Sequence, residues 1–158
     1  MAESIPEKTI FPRGWFAVGY SDEIKSGEVK GLAYFGTKYA AFRDEEGKLS
    51  ILDAYCPHLG ADMSVGGKVE SGCIRCPFHA WKFDGSGKCT EVPYAKKIPR
   101  GAKVGSHPVS EVNGIVFMWH DPSGEEPHYE IPVVEQHSSD DWLDWSINSV
   151  VIKTHPRE

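Results

Sequence analysis

The sequence predicts an all-β protein built as an antiparallel sandwich or barrel. Its 16 glycines and 11 prolines interrupt short runs of β-branched and aromatic residues. One Asn-Gly dipeptide, Asn113-Gly114, separates two such runs, and no segment has a 3.6-residue hydrophobic period long enough to predict a helix. Many short strands separated by turn residues are typical of antiparallel sandwiches and barrels.

The predicted strands follow each other at short intervals. Apolar and β-branched runs predict strands over residues 14–20, 30–35, 38–43, 48–53, 109–112 and 115–119. The last two strands form a hairpin, because Asn113-Gly114 accepts the positive φ angles of a type I′ turn. The alternating pattern of residues 48–53 predicts a half-buried strand.

Composition and charge argue against nucleic acid and membranes as binding partners. The 17 basic residues are outnumbered by 23 acidic residues, which gives a net charge of −6, whereas a protein that binds nucleic acid needs a basic face. No apolar run approaches the roughly 20 residues that cross a bilayer, and the first residues do not form a secretory signal. We therefore expect a cytoplasmic protein that binds neither nucleic acid nor a membrane.

Cysteine and histidine residues are concentrated in one window. All four cysteines lie between residues 56 and 89. Within that window, Cys56-Pro57-His58 is followed after 17 residues by Cys76-Pro77-Phe78-His79. Each segment offers one thiolate and one imidazole on a tight loop. Thiolates suit an iron that also holds bridging sulfides, and imidazoles suit a second iron.

These two segments resemble the ligand loops of the Rieske [2Fe–2S] family. The likeness includes Leu59-Gly60 after the first segment and residues 80–84 after the second, and residues 10–120 fit the length of that domain. The resemblance implies a Rieske-type antiparallel sandwich or barrel. It also implies a small cluster-binding subdomain, formed by the two ligand loops within residues 54–90.

The resemblance also implies the ligands of a [2Fe–2S] cluster. Cys56 and Cys76 would bind one iron. His58 and His79 would bind the other iron. Because an electron must pass through the imidazole edge, we expect the histidines to be more accessible than the cysteines. We also expect an apolar rim around them that contains Leu59 and Trp81, and the alternative for Trp81 is a position in the core.

Two other interpretations of the cysteines remain open. Cys73 and Cys76 form a C-x-x-C pair that, with Cys56 and either His58 or Cys89, could make a four-ligand zinc site in a binding module. That site would leave His79 without a role. In the second interpretation, the cysteines are ordinary buried thiols and the histidines are ordinary loop residues. Cys73 and Cys89 are predicted to be small buried hydrophobic residues.

Four positions distinguish this chain from respiratory Rieske proteins. The disulfide that braces the ligand loops in those proteins would join the positions held here by Ala61 and Phe78. The serine and tyrosine that donate hydrogen bonds to sulfur would stand at Trp81 and Phe83. The loss of these donors lowers the reduction potential, which indicates the low-potential branch of oxygenases and Rieske ferredoxins.

Residues 111–120 and 151–158 are similar to the N-terminal part of Rieske oxygenase α-subunits, in the group of 3-ketosteroid hydroxylases and sterol desaturases. We therefore predict a Rieske domain over residues 1–125 and a Pro-rich, acidic linker over 126–141. Residues 142–158 are predicted to form the first strand of a catalytic domain that lies outside this chain.

The resemblance implies one-electron transfer as part of an oxygenase that hydroxylates a hydrophobic ring substrate. A flavoprotein reductase or ferredoxin would donate the electron. A mononuclear iron in a catalytic domain, usually on a neighbouring subunit of a trimer, would accept it. The chain alone is not expected to be catalytic. The alternatives are a separate Rieske ferredoxin that shuttles electrons and the zinc-stabilised binding module.

Overall fold

The computed structural model describes residues 11–143, 145–148, 150 and 152. These residues form strands, turns and two short 3-10 helices, at Ser21–Glu23 and Glu135–Ser138. The strands are β1 (Gly14–Tyr20), β2 (Val29–Tyr34), β3 (Thr37–Arg43), β4 (Leu49–Asp53), β5 (Lys68–Glu70), β6 (Cys73–Arg75), β7 (Lys82–Phe83), β8 (Cys89–Glu91), β9 (Ser106–His107), β10 (Val109–Val112) and β11 (Ile115–His120). The all-β prediction is confirmed.

The strands form three antiparallel sheets. A three-stranded sheet has the order β1-β11-β10, and a central sheet has the order β2-β3-β4-β9. The third sheet consists of β5, β6, β7 and β8 in sequence order, and it carries the two predicted ligand loops at one end. This third sheet is the predicted cluster-binding subdomain. Each of its four strands has three residues or fewer, which is too short for a recognisable alternating pattern.

The central sheet is buried on both faces. In β3, Tyr39 and Ala41 pack with the three-stranded sheet, whereas Ala40 and Phe42 pack with the third sheet. The same alternation holds in β4, where all residues from Leu49 to Leu52 are buried. The prediction of a half-buried strand over residues 48–53 is therefore wrong. The alternation is present, but a second sheet covers the face that was expected to meet water.

The predicted hairpin at Asn113-Gly114 is confirmed. Val112 pairs with Ile115, and Asn113 has a φ of 55°, as a type I′ turn requires. The two-residue turn between β5 and β6, Ser71-Gly72, has the same sign of φ at both positions. Short primed turns of this kind match the right-handed twist of the strands that they join.

The predicted linker, residues 126–141, begins as a segment that packs against the three-stranded sheet. The Trp15 indole N–H donates to the Tyr129 carbonyl over 2.9 Å. The Asn113 amide donates to the Pro132 carbonyl over 3.0 Å and accepts from the Val134 N–H over 2.7 Å. These contacts hold the segment along the sheet, so its path is fixed as far as residue 134.

The strand predicted over residues 142–158 is not formed by the part of this segment that the structure describes. Residues 142, 143, 145–148, 150 and 152 belong to no strand, and the remaining residues of the segment lie outside the described part. A strand needs a hydrogen-bonded neighbour, and none of these residues is paired with a described strand. Among the described residues, no helix is long and apolar enough to cross a membrane.

Candidate metal centre

The two predicted ligand segments are neighbouring loops at one end of the third sheet. The first loop follows β4, which ends at Asp53, and the second loop connects β6 to β7. Residues of both loops belong to one hydrophobic cluster with Ala40 and Phe42 of the central sheet. The central sheet therefore fixes the base of both loops.

The first loop is a tight turn closed by backbone hydrogen bonds. The Cys56 N–H donates to the Ala61 carbonyl over 2.9 Å, and the Gly60 N–H donates to the Cys56 carbonyl over 2.9 Å. Gly60 has a φ of 72°, in the left-handed region that glycine adopts without steric cost.

The second loop repeats this pattern. The Cys76 N–H donates to the Trp81 carbonyl over 2.8 Å, and the Ala80 N–H donates to the Cys76 carbonyl over 3.2 Å. Ala80 has a φ of 58°, at the position that corresponds to Gly60. The two cysteines are therefore equivalent in backbone geometry, and each presents its side chain from the first position of the same turn.

Both candidate cysteine ligands are buried. Cys56 and Cys76 are each 3% exposed. Burial raises the pKa of the Cys56 thiol well above its usual value, a hydrogen bond from the His58 backbone N–H lowers it, and the nearby Cys76 sulfur raises it again. Two thiolates at this position therefore need a compensating positive charge. Metal ions provide that charge.

The two candidate histidine ligands face each other. The Nδ1 atoms of His58 and His79 are 3.1 Å apart, and their ring centroids are 4.6 Å apart with an angle of 70° between the planes. Both rings are half-buried, so they are more accessible than the two cysteines, as expected. Two imidazole nitrogens that point at one another are arranged to bind one cation between them.

An aromatic ring packs on each histidine. The Trp81 indole stacks on His58 with a centroid distance of 4.7 Å and an interplanar angle of 10°. Phe78 packs on His79 with a centroid distance of 3.9 Å. Leu59 and Phe78 are 65% and 61% exposed, whereas Trp81 is 6% exposed. Leu59 lies on the rim as expected. The prediction that Trp81 belongs to the exposed rim is wrong, because the indole is covered where it stacks on His58.

The two other cysteines have separate neighbours. The Cys73 sulfur lies 3.5 Å from the Thr90 hydroxyl, and the Cys89 sulfur lies 3.4 Å from the Glu91 carbonyl. Cys89 is buried, as expected, and its burial raises the pKa of the thiol. Cys73 is half-buried rather than buried, because it lies on the face of β6 opposite to the buried Ile74.

The donor set fits a [2Fe–2S] cluster better than a single zinc ion. Two buried thiols and two facing imidazoles provide two soft and two borderline ligands from two equivalent turns, as a centre with two unlike irons requires. In a two-iron centre each iron takes only two protein ligands, and this pairing is what the two loops offer.

Sequence reasoning missed Tyr94 at this site. Its hydroxyl accepts a hydrogen bond of 2.7 Å from the Trp81 indole N–H, and its ring centroid lies 6.4 Å from that of His58. Tyr94 stands outside both ligand segments, in a turn after β8. No local pattern in the sequence connects it with the loops.

Two protein families match this chain. Residues 14–108, more than half of the chain, match the Rieske [2Fe-2S] domain. Residues 118–158 match the 3-ketosteroid 9alpha-hydroxylase C-terminal domain.

The chain is also similar to parts of longer curated proteins. It is 48% identical over 130 residues to cholesterol 7-desaturase nvd 1 of Ciona intestinalis, which covers 82% of this chain and 28% of that protein. It is 41% identical over 148 residues to the oxygenase component of a 3-ketosteroid-9-alpha-monooxygenase of Rhodococcus rhodochrous, covering 92% of this chain and 38% of that protein. The chain therefore spans less than two fifths of either relative.

Solved structures show the same fold. Dicamba monooxygenase bound to 3,6-dichlorosalicylic acid superposes with a TM-score of 0.69 at 29% identity, over 80% of this chain and 37% of that chain. A complex of the oxygenase and ferredoxin of carbazole 1,9a-dioxygenase contains a chain that superposes with a TM-score of 0.59 at 33% identity, over 68% of this chain and 30% of that chain. With the match over residues 14–108, these findings show that the chain belongs to the Rieske [2Fe–2S] domain family, whose cluster, bound by two cysteines and two histidines, transfers one electron at a time.

Proposed function

We propose that Cys56 and Cys76 bind one iron of the cluster and that His58 and His79 bind the other. The observation that carries this assignment is the convergence of the four side chains from two equivalent turns. The two sulfurs are buried next to each other, and the two Nδ1 atoms are 3.1 Å apart.

The residues around the site shield its cysteine side from water and leave its histidine side accessible to a partner protein. When bound, the cluster supplies a centre that takes up and releases a single electron. Cys56 and Cys76 lie beneath the surface, so the protein excludes water from the sulfur side. His58 and His79 are half-buried, so a partner protein can approach their ring edges. The exposed side chains of Leu59 and Phe78 provide an apolar contact surface for that partner.

Replacement of single ligands tests the assignment. His58→Ala and Cys76→Ser should each abolish the normal two-iron cluster, because each removes a bond that no neighbouring side chain can replace. Cys73→Ser is the matched control, since it removes a thiol that contacts Thr90 instead. Iron and acid-labile sulfide content, with the electron paramagnetic resonance spectrum of the reduced protein, provide the measurement. Zinc in place of iron, or loss of the cluster in Cys73→Ser, would overturn the assignment.

We also propose that the chain is the electron-transfer part of a Rieske-type oxygenase. The match of residues 118–158 to the 3-ketosteroid 9alpha-hydroxylase C-terminal domain supports an oxygenase rather than a separate ferredoxin. In this proposal a flavoprotein reductase or ferredoxin donates the electron, and a mononuclear iron of the catalytic domain, on a neighbouring subunit of a trimer, accepts it. The intact enzyme oxidises a hydrophobic ring substrate, and this chain alone does not.

We propose a cytoplasmic location for the protein, and a separate Rieske ferredoxin is the second candidate function. None of the four cysteines, all of which lie in the described part of the chain, forms a disulfide, and this supports a cytoplasmic enzyme. The coding sequence downstream of Glu158 distinguishes the oxygenase from the ferredoxin. An oxygenase continues into a domain with two histidines and one carboxylate as iron ligands. A stop at this point, in a protein that passes electrons to a separate oxygenase, would favour the ferredoxin.

A further inference from the structure

We propose that Tyr94 is a positioning residue for the cluster, because its hydroxyl holds the Trp81 indole flat against the ring of His58. The proposal rests on the ligand assignment above, in which His58 binds iron. It adds a residue outside both ligand loops to the set that determines the properties of the centre.

Tyr94 has a fixed position on the surface. It is 62% exposed, and an exposed tyrosine ordinarily needs no explanation. Its hydroxyl, however, is hydrogen-bonded, at 2.7 Å from the Trp81 indole nitrogen. The backbone on either side is also fixed, because the Ala95 N–H donates to the Val92 carbonyl over 3.0 Å and Val92 is buried. A turn that is anchored in the core therefore holds the Tyr94 hydroxyl at the indole N–H.

The Trp81 side chain has little rotational freedom. An indole has a single polar atom, its N–H, and that group donates only. The residue is 6% exposed, so the hydroxyl of Tyr94 determines which way the N–H points. One face of the indole ring stacks on the His58 ring, with an angle of 10° between the two planes. The hydrogen bond and the stacking together leave the indole one orientation.

The two candidate histidine ligands are covered by different kinds of aromatic residue. His79 is covered by Phe78, which is exposed and has no polar atom to anchor it. His58 is covered by an indole that is buried and hydrogen-bonded. The ring of His58 is therefore held more tightly than that of His79. Tyr94 is the surface residue on which this difference depends.

The direction of the effect follows from charge. A cluster with two ferric ions, two sulfides, two thiolates and two neutral imidazoles has no net charge, and one added electron makes it anionic. Water near the ligands stabilises the anionic form. If the hydroxyl of Tyr94 is removed, the indole is released, and both the freed N–H and entering water can approach the centre. Tyr94→Phe should therefore shift the midpoint potential upward.

Voltammetry and electron paramagnetic resonance of the cluster-loaded protein test the proposal. Tyr94→Phe should raise the potential and change the g values, because the orientation of the His58 ring changes. Tyr55→Phe is the matched control. It removes the hydroxyl of a comparably exposed tyrosine next to Cys56, and it should leave both measurements unchanged.

A double-mutant cycle shows whether Tyr94 acts through Trp81. In a Trp81→Phe background the indole N–H is absent, so the additional change Tyr94→Phe should have no further effect. An unchanged potential and spectrum in Tyr94→Phe, or equal effects of this change in both backgrounds, would overturn the proposal. A wild-type protein without a Rieske spectrum would instead overturn the ligand assignment, and the inference with it.

Discussion

The guanidinium of Arg43 uses all five of its N–H groups at the junction between the central sheet and the three-stranded sheet. Two bonds, of 2.6 and 2.9 Å, go to the carboxylate of Glu111 on β10. The other three go to backbone carbonyls. These carbonyls belong to Ser21, Ile24 and Gly47. The Glu111 carboxylate, the nearest opposite charge, raises the pKa of Arg43, while burial acts in the other direction.

Arg43→Met should lower the free energy of unfolding by about 3 kcal/mol, because it leaves a partly buried carboxylate and three carbonyls without their donor. The control is Lys30→Met. Lys30 forms an exposed ion pair with Glu23, and pairs of this kind contribute about 0–1 kcal/mol. Denaturant unfolding of the two variants and the wild type provides the comparison. Equal losses of unfolding free energy in both variants would show that the Arg43 network stabilises the fold no more than an exposed ion pair does.

Turns connect the central sheet to the cluster-binding sheet. Glu45 lies in the turn between β3 and β4, and its carboxylate accepts the backbone N–H groups of Ser71 and Gly72, each over 2.8 Å. Those two residues form the turn between β5 and β6, and β6 leads directly to Cys76. One end of the cluster-binding sheet is thus attached to the tip of a hairpin in the central sheet.

At the other end of the cluster-binding sheet, the backbone at Gly67 lies against the backbone of Met63. A Cβ atom at Gly67 would overlap the carbonyl oxygen of Met63 and would lie 3.4 Å from Ile74. Met63 is fully buried, and its N–H donates to the Ala54 carbonyl over 2.7 Å at the start of the first ligand loop. Only glycine allows the chain to return this closely beneath that loop.

Gly67→Ala should therefore destabilise the fold by about 2 kcal/mol, the cost of an overpacked core, and should lower the iron content of the purified protein. Gly101→Ala is the matched control, because a Cβ at Gly101 has open space around it. Thermal unfolding and iron analysis measure the two effects. A Gly67→Ala protein with the stability and iron content of Gly101→Ala would contradict the argument.

Features of this protein that depend on a local sequence pattern could be predicted, whereas contacts between distant segments could not. Cys56 and His79 could be selected because both stand in short segments with typical ligand spacing. The contact between Trp81 and Tyr94 could not, because it joins residues 13 positions apart through the path of a loop. The burial of both faces of β4 was also not predictable, since alternation within one strand does not show how many sheets cover it.

The reduction potential depends on the whole arrangement around the two loops. Donors to the sulfurs stabilise the added electron and raise the potential. Phe83, where respiratory Rieske proteins carry a hydroxyl, is fully buried and has no polar side-chain atom. Trp81 has one donor, and that donor is directed to Tyr94. Neither residue therefore supplies the hydrogen bond that a hydroxyl would give.

We predict that the cluster has a midpoint potential near the lower end of the Rieske range, which extends from about −150 to +300 mV. A centre at this end releases its electron readily, as a donor to a mononuclear iron must. Phe83→Tyr should raise the potential by adding a hydroxyl donor, whereas Phe16→Tyr adds a hydroxyl in the three-stranded sheet and should leave it unchanged. Protein-film voltammetry near neutral pH provides the measurement. A wild-type value well above zero would contradict the oxygenase assignment, because such a centre would hold its electron too tightly.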